Sequence, residues 1–248
     1  MRSFVLSREK YMPITQAVIL AGGRGTRLGQ ITEAVPKPML SVGGRPFLDY
    51  QLWLLSESGV SDVVLCVGYL SELVEAKYGV TPPFGLRVVI SHELAPAGTG
   101  GALVFARPHL DEAFFVLNGD TILDLELGAL GTILAENPVA LGVLALRSVP
   151  DAGRYGRVSI ETDRITGFAE KSLGGSGLIN GGVYCLRRSA ADLLPSPPCS
   201  LEKDLFPRLA AERRLMGMPC DGYFIDIGLP QTLARAGREL PAWMNARR

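Results

Sequence analysis

The feature that most constrains this chain is a short apolar run that ends abruptly in a cluster of glycines. Residues 17–21 are apolar and β-branched at their centre, which favours a buried strand over a helix, although periodicity alone does not separate the two. Gly22, Gly23 and Gly25 follow at once. Because glycine loses more conformational freedom on folding than any other residue, three within four positions indicate positive φ angles or a close approach to a ligand.

Positive side chains surround this glycine turn. Arg24 and Arg27 lie within or just after it, and Lys37 follows between two prolines. Backbone N–H groups at the end of a strand, edged with cations, are suited to binding phosphate. The dinucleotide fingerprint G-x-G-x-x-G fails because Leu28 stands at the third glycine, and the P-loop pattern is absent. The stretch therefore predicts a phosphate-binding turn, with a purely structural turn as the alternative.

The rest of the chain alternates between short buried strands and helices. Further strands are predicted at 62–67, 86–90, 113–117, 138–146, 178–186, 215–219 and 223–227. Helices are predicted at 46–59, 70–78, 99–107, 125–136, 200–214 and 230–240, with Thr99 and Ser200 as caps. Such alternation is typical of an α/β fold, with a mostly parallel sheet covered by helices on both faces. Residues 154–160 and 164–169 predict a hairpin instead, in a smaller β-rich lobe.

Composition and charge exclude several classes of protein. The chain has 248 residues, 47% of them hydrophobic, which suits one domain with a large core. The formal net charge is zero, so neither nucleic acid nor a membrane surface is expected as the principal partner. The longest apolar runs fall well short of the roughly 20 residues that a membrane helix needs. The four cysteines form no C-x-x-C pair, which argues against a zinc site. We expect a cytoplasmic protein with a mobile leader at 1–13.

The glycine turn belongs to a set of motifs that resembles a known family. Residues 21–28 (Ala-Gly-Gly-Arg-Gly-Thr-Arg-Leu), followed by Pro-Lys-Pro at 36–38, resemble the nucleotidyltransferases that join a sugar 1-phosphate to a nucleoside triphosphate. Segments 115–120, 168–171, 179–184 and 224–228 support the resemblance, which covers roughly residues 16–238. Within the family, the chain looks most like the guanylyltransferases that act on D-glycero-α-D-manno-heptose 1-phosphate. Mannose-1-phosphate guanylyltransferases and N-acetylmuramate- or glucose-1-phosphate uridylyl- or thymidylyltransferases are the alternatives.

The resemblance implies a Rossmann-like fold of the GT-A type. Residues 14–240 would form a single domain, in which 14–146 mainly bind the nucleotide and 147–228 mainly bind the sugar. The chain ends soon after this domain, so we expect no C-terminal β-helix. A homodimer is possible.

The resemblance also implies a magnesium-dependent reaction between a sugar 1-phosphate and an NTP that releases pyrophosphate. The attacking phosphate oxygen is already ionised at neutral pH, so catalysis needs positioning and charge neutralisation more than a general base. Asp120 and Asp226 would bind Mg²⁺ together with phosphate oxygens; the alternative for each is that it caps a turn. Arg27 and Lys37 would hold the triphosphate and the leaving pyrophosphate, and Lys171 would neutralise the sugar phosphate.

The implied site falls into three sets. The catalytic set is Arg27, Lys37, Asp120 and Lys171. The nucleotide-binding set is Leu20, Ala21, Gly22, Gly23, Gly25, Thr26, Arg27, Lys37, Glu93, Gly98, Thr99, Asn118 and Gly119. The sugar-phosphate set is Gly156, Glu170, Lys171, Asn180 and Glu202.

The choice of base depends on Glu93. Guanine presents two neighbouring N–H donors on one edge, which a carboxylate accepts well, whereas uracil and thymine suit an amide better. Glu93 is a carboxylate, and no glutamine lies in its loop, so the sequence favours GTP; a solvated loop residue is the alternative. Two other classes stay open: a catalytically silent regulatory subunit that binds nucleotide sugars, and a nicotinamide oxidoreductase, which the failed glycine fingerprint disfavours.

Overall fold

A computed structural model describes residues 13–153, 156–169 and 175–247. The strands of the described residues are β1 (Gln16–Leu20), β2 (Ser41–Val42), β3 (Arg45–Pro46), β4 (Asp62–Val67), β5 (Arg87–His92), β6 (Ala113–Asn118), β7 (Thr121–Leu123), β8 (Gly142–Val149), β9 (Val158–Glu161), β10 (Arg164–Phe168), β11 (Gly177–Arg187), β12 (Leu215–Cys220) and β13 (Phe224–Asp226). The α-helices are α1 (Phe47–Glu57), α2 (Ser71–Tyr78), α3 (Gly98–Ala106), α4 (Leu127–Glu136), α5 (Arg188–Ala191), α6 (Phe206–Ala211) and α7 (Pro230–Ala246).

The main sheet contains nine strands among the described residues, in the order β5-β4-β1-β6-β11-β8-β12-β10-β9. The strands β5, β4, β1 and β6 are all parallel. β11 runs antiparallel to both of its neighbours, β6 and β8, and β12 is parallel to β8. The predicted hairpin forms as the antiparallel pair β9–β10 at one edge. The predicted α/β fold class is confirmed, with the uninterrupted parallel part in the first half of the chain.

Apolar side chains of β1 point to both faces of this sheet, which explains why the strand has no polar alternation. Val18 lies in a cluster with Leu103 of α3 and Phe206 of α6. Ile19 lies in the opposite cluster with Leu48 of α1 and residues of α2 and α4. Each fully buried side chain of this size contributes about 2 kcal/mol. Helices therefore cover both faces, and the carboxyl ends of the parallel strands remain as the open edge.

A second, smaller sheet pairs β7 with β13 in antiparallel register. Ile122 of β7 and Ile225 of β13 are buried together with Leu240 of α7 and residues of α1. Trp243 of α7 makes an edge-to-face contact with Trp53 of α1, with ring centroids 5.6 Å apart. The C-terminal strand and helix are thereby anchored on the first half of the chain.

Three local expectations need correction. β8 covers Gly142–Val149 rather than 138–146. The helix expected at 200–214 is a π-helical turn at Leu201–Leu205 followed by the short α6; Ser200 does cap it, accepting the Lys203 N–H at 3.2 Å. Thr99 is not a cap. The carbonyl of Cys199 instead accepts the Gly100 and Gly101 N–H groups at the start of α3, which leaves the threonine hydroxyl for another partner.

Among the helices of the described residues, none combines the length and the apolar character that a membrane span needs.

Candidate active site

A cleft of about 580 Å³ opens at the carboxyl ends of β1, β4 and β6. Ligands of open α/β sheets bind at this edge because the strand ends leave a crevice there. All the residues predicted to bind the nucleotide line the cleft: Leu20, Ala21, Gly22, Gly23, Gly25, Thr26, Arg27, Lys37, Glu93, Gly98, Thr99, Asn118 and Gly119. The structure therefore brings together, in one cavity, side chains from four separate segments of the sequence.

Each glycine of the turn occupies its position for a different physical reason. At Gly22, an added Cβ would lie 2.0 Å from the Glu93 carboxylate, so a larger residue would displace that carboxylate from its present position. Gly25 has a φ of +66°, which an L-residue rarely adopts. Gly23 has open space where its side chain would project, so its backbone is uncovered beside the cleft. An uncovered backbone of this kind is what phosphate recognition requires.

Glu93 is partly buried at the cleft wall. One carboxylate oxygen accepts the Ala97 N–H at 3.3 Å, and burial raises the pKa of the Glu93 carboxyl above its usual value. The opposing effect of the backbone hydrogen bond on the pKa is smaller than that of burial. Glu93 therefore presents a fixed, incompletely solvated acceptor to whatever occupies this end of the cleft.

Lys37 and Asp120 form an ion pair inside the cleft. The Lys37 ammonium donates to Asp120 Oδ2 at 2.5 Å, and Thr121 Oγ1 donates to the other oxygen at 3.0 Å. Lys37 is only 7% exposed, so its charge is neutralised by the carboxylate rather than by water. The sequence placed both residues in the site but did not predict that they contact each other.

A second pocket of about 190 Å³ adjoins the cleft. Arg27, Asn118 and Asp120 line both cavities and so mark their junction. Asn180 and Glu202, predicted to bind the sugar phosphate, line this pocket. Of the remaining sugar-site predictions, Gly156 is described but is not among the lining residues of either cavity, and Glu170 and Lys171 lie outside the described residues.

The β7–β13 pair brings the backbone of Asp226 next to that of Asp120, at the edge of the main sheet where the cleft opens. Asp226 pairs in register with Thr121, and the Ile227 N–H donates to the Asp120 carbonyl at 2.9 Å. The carboxylate of Asp226 accepts the Gly228 N–H at 2.5 Å. A Cβ at Gly228 would lie 3.1 Å from the Arg27 guanidinium, so the glycine also makes room for that cation.

Asp120 and Asp226 fit a Mg²⁺ ion that takes most of its other ligands from phosphate oxygens and water. Within the described ranges, no group of three or more histidine, cysteine, aspartate or glutamate side chains is placed to hold a metal alone. Two carboxylates, Asp120 and Asp226, line the same open pocket. Mg²⁺ commonly takes one or two carboxylates, several waters and the phosphate oxygens of the substrate, so the donor set agrees with this ion.

Two supporting residues were missed by the sequence reasoning. Gln51 is fully buried and donates from its amide to the carbonyls of Asn118 and Thr121 at 2.8 and 2.9 Å, which holds both ends of the segment that carries Asp120. The Tyr184 hydroxyl accepts from Asn180 at 3.0 Å and donates to Asn118 at 3.4 Å. Burial raises the pKa of Tyr184 well above its ordinary value, so this hydroxyl stays protonated. The one sequence signal was a glutamine within the apolar middle of α1, between Tyr50 and Leu52.

Comparison with known proteins places this site in a family. The model of the nucleotidyl transferase family matches residues 16–242. A D-glycero-α-D-manno-heptose 1-phosphate guanylyltransferase of Aneurinibacillus thermoaerophilus is 34% identical over 230 residues, which cover 91% of this chain and 98% of that protein. The mannose-1-phosphate guanyltransferase beta-A of Xenopus laevis is 34% identical, with 93% of this chain and 68% of that protein covered.

A solved structure of similar fold also supports membership of this family. HddC from Yersinia pseudotuberculosis, complexed with GMP-PN, has a TM-score of 0.79 and 30% sequence identity to this chain, covering 92% of this chain and 100% of that one. The chain belongs to the nucleotidyl transferase family and is an enzyme of the transferase class. The resemblance noted from the sequence motifs is thus confirmed.

Proposed function

We propose that this protein transfers a guanylyl group from GTP to D-glycero-α-D-manno-heptose 1-phosphate and releases pyrophosphate. The observation that carries the proposal is the junction, at Arg27, Asn118 and Asp120, of a cleft of about 580 Å³ with a smaller pocket of about 190 Å³. The heptose 1-phosphate guanylyltransferase name of a relative matched over almost its whole length supports the choice of substrates.

In the proposed reaction, a phosphate oxygen of the sugar 1-phosphate attacks the α-phosphorus of GTP. The new phosphorus–oxygen bond forms as the bond to the bridging oxygen of the β-phosphate breaks, and the electron pair leaves with pyrophosphate. Because the nucleophile is already an anion, the site must bring two anions together and neutralise the charge that leaves. Arg27 supplies positive charge at the junction of the cavities, and Lys37, which is paired with Asp120 in this structure, would reach the phosphates from beside it.

Asp120 and Asp226 would hold Mg²⁺, which, when bound, would neutralise phosphate charge in this reaction. The ion pair with Lys37 keeps the Asp120 side chain directed into the cleft. Lys171 remains our candidate for the cation that receives the sugar phosphate, and Glu170 for a sugar-hydroxyl acceptor. The lining of the cavities supports the predicted division into a nucleotide-binding and a sugar-binding part. The cleft is lined by residues up to Asp120, and the second pocket adds Thr121 and residues between 180 and 226.

The experiment that tests the function is a matrix of four NTPs against several sugar 1-phosphates, with pyrophosphate release as the readout. We expect turnover with GTP and D-glycero-α-D-manno-heptose 1-phosphate. A higher kcat/KM with mannose 1-phosphate would favour the second candidate, which the Xenopus laevis relative supports. Absence of turnover with every GTP pair would refute the guanylyl assignment, and absence with every pair would favour a silent regulatory subunit.

Replacing Glu93 with glutamine is expected to lower kcat/KM for GTP roughly 10- to 100-fold, because an amide gives up a charged acceptor for the guanine N–H groups. In the unmodified protein, KM for GTP should rise as the pH falls, since protonation removes that acceptor. Burial raises the pKa of Glu93, so the rise should begin at a higher pH than for a solvated glutamate. Steady-state kinetics across the pH range measure both effects.

The control for this variant is Glu57→Gln, which makes the same change at an exposed position that lines neither cavity. It should leave the GTP kinetics unchanged at every pH. If the Glu93→Gln variant keeps the preference for GTP over UTP, the hypothesis that the Glu93 carboxylate recognises guanine is wrong.

Magnesium as the metal, a cytoplasmic location and a homodimer belong to the same proposal. The paired carboxylates of Asp120 and Asp226 support magnesium, and removal of divalent ions by EDTA should abolish turnover until Mg²⁺ is restored. The cysteines at 66, 185, 199 and 220 are all free thiols, which agrees with a reducing compartment. Light scattering of the purified protein measures its oligomeric state.

A further inference from the structure

The segment that leads into the π-helical turn of Glu202 is bonded to the start of α3, and residues at the start of α3 line the nucleotide cleft. The Cys199 N–H donates to the Ala97 carbonyl at 2.9 Å, and the Cys199 carbonyl accepts the Gly100 N–H at 3.0 Å. Gly98 makes this close approach possible, because a Cβ there would lie 2.4 Å from the Cys199 carbonyl oxygen. Two segments far apart in the sequence, one of which lines the cleft while the other leads to Glu202 in the second pocket, are thus joined through their backbones.

Side chains complete this connection. Thr99 Oγ1 donates to Glu202 Oε2 at 2.6 Å, and Ser200 Oγ donates to the same oxygen at 2.8 Å. Thr99 Oγ1 in turn accepts the Leu201 N–H at 3.0 Å. A hydroxyl that both accepts from the loop backbone and donates to the carboxylate has one orientation only, so Glu202 is held in a single position.

The two carboxylate oxygens of Glu202 differ in their hydrogen-bond partners. Oε2 is occupied by Thr99 and Ser200, whereas no donor within the described ranges reaches Oε1. Glu202 lines the second pocket, next to Asn180 and Asp226. Oε1 is therefore the atom that can accept a hydrogen bond from a ligand in that pocket.

We propose that Thr99 is a positioning residue for the sugar 1-phosphate and acts through Glu202, although Thr99 itself lies in the nucleotide cleft. This inference rests on the proposed function. It assigns to Thr99 a role different from the one that the sequence suggested, which was contact with the nucleotide. The two assignments differ in which substrate loses affinity when the hydroxyl is removed.

The test is Thr99→Val, which removes the hydroxyl and keeps the branched shape. We expect KM for the sugar 1-phosphate to rise roughly tenfold, while KM for GTP changes by less than about twofold. Thr99→Ser keeps the hydroxyl and should restore the affinity for the sugar phosphate. Thr132→Val is the matched control: its hydroxyl donates to the Gly128 carbonyl within α4, at 3.0 Å, and it lines neither cavity.

A double-mutant cycle with Glu202→Ala shows whether Thr99 acts through Glu202. In the Glu202→Ala background, adding Thr99→Val should change KM for the sugar phosphate by less than about twofold. All variants are assayed well below their unfolding temperatures. An increase in KM for GTP with Thr99→Val, or effects of the two substitutions that multiply, would overturn this inference alone. Wild-type protein that turns over no NTP and sugar pair would overturn the proposed function together with it.

Discussion

Replacing Asp120 with asparagine is expected to lower kcat roughly 10³-fold while the protein stays folded. Asp120 lies at the junction of the two cavities, where its charge would hold Mg²⁺ and where it neutralises Lys37. The asparagine amide has the same shape and still accepts hydrogen bonds through its oxygen. It carries no negative charge, so it would neither hold Mg²⁺ nor neutralise Lys37. Pyrophosphate release at saturating substrates measures the loss, and circular dichroism confirms the fold.

The matched control is Asp124→Asn, the same change four residues further along the chain. Asp124 accepts a hydrogen bond from the Trp243 indole at 3.1 Å and pairs with Arg247, and it lines neither cavity. This variant should keep full activity and lose only stability. A rate for Asp120→Asn close to that of the wild type would remove Asp120 from the mechanism.

The second large effect is expected for Gly119→Ala. A Cβ at Gly119 would lie 2.4 Å from the Leu20 carbonyl oxygen and 3.1 Å from the Ala21 Cα, both of them backbone atoms. The Gly119 N–H also donates to that carbonyl at 3.0 Å, so neither side can move away without breaking the contact. We expect a loss of about 3 kcal/mol in the free energy of unfolding. Nucleotide affinity should fall with it, because the clash displaces the end of β1.

Urea unfolding and GTP titration of Gly119→Ala measure the two losses separately. Gly237→Ala provides the comparison, since nothing lies within 4 Å of a Cβ at that position in α7. Alanine is the better helix former, so this variant should gain up to about 1 kcal/mol and keep its activity. Stability of Gly119→Ala equal to that of the wild type would show that the steric explanation is wrong.

Local patterns explain why the nucleotide half of the site could be predicted from the sequence. The apolar run at 17–21 and the glycines after it are one continuous signal, and the strand at 62–67 has the bounds that the sequence predicted. In a parallel sheet such strands end at a common edge, so residues that follow them meet there. Asp120 was placed in the site by this rule and Glu93 by the resemblance of its loop to the family, and both line the cleft.

What the sequence did not reveal are contacts between segments that carry no common pattern. The bond of Thr99 to Glu202 depends on the Cys199 carbonyl, which replaces the threonine as the cap of α3. The meeting of Asp120 with Asp226 depends on a separate two-stranded sheet instead of the main one. Neither follows from spacing or periodicity, because both are fixed by how distant loops pack in three dimensions.

The same β7–β13 pair ties the proposed metal site to the C-terminal part of the chain. The strands β1, β4 and β6 and all the lining residues of the nucleotide cleft belong to the chain up to Asp120. Asp226 instead lines the second pocket from β13, which is held in place by pairing with β7. We therefore expect turnover to be a stricter test of the complete fold than nucleotide binding, because the proposed metal site also needs the C-terminal strand in place.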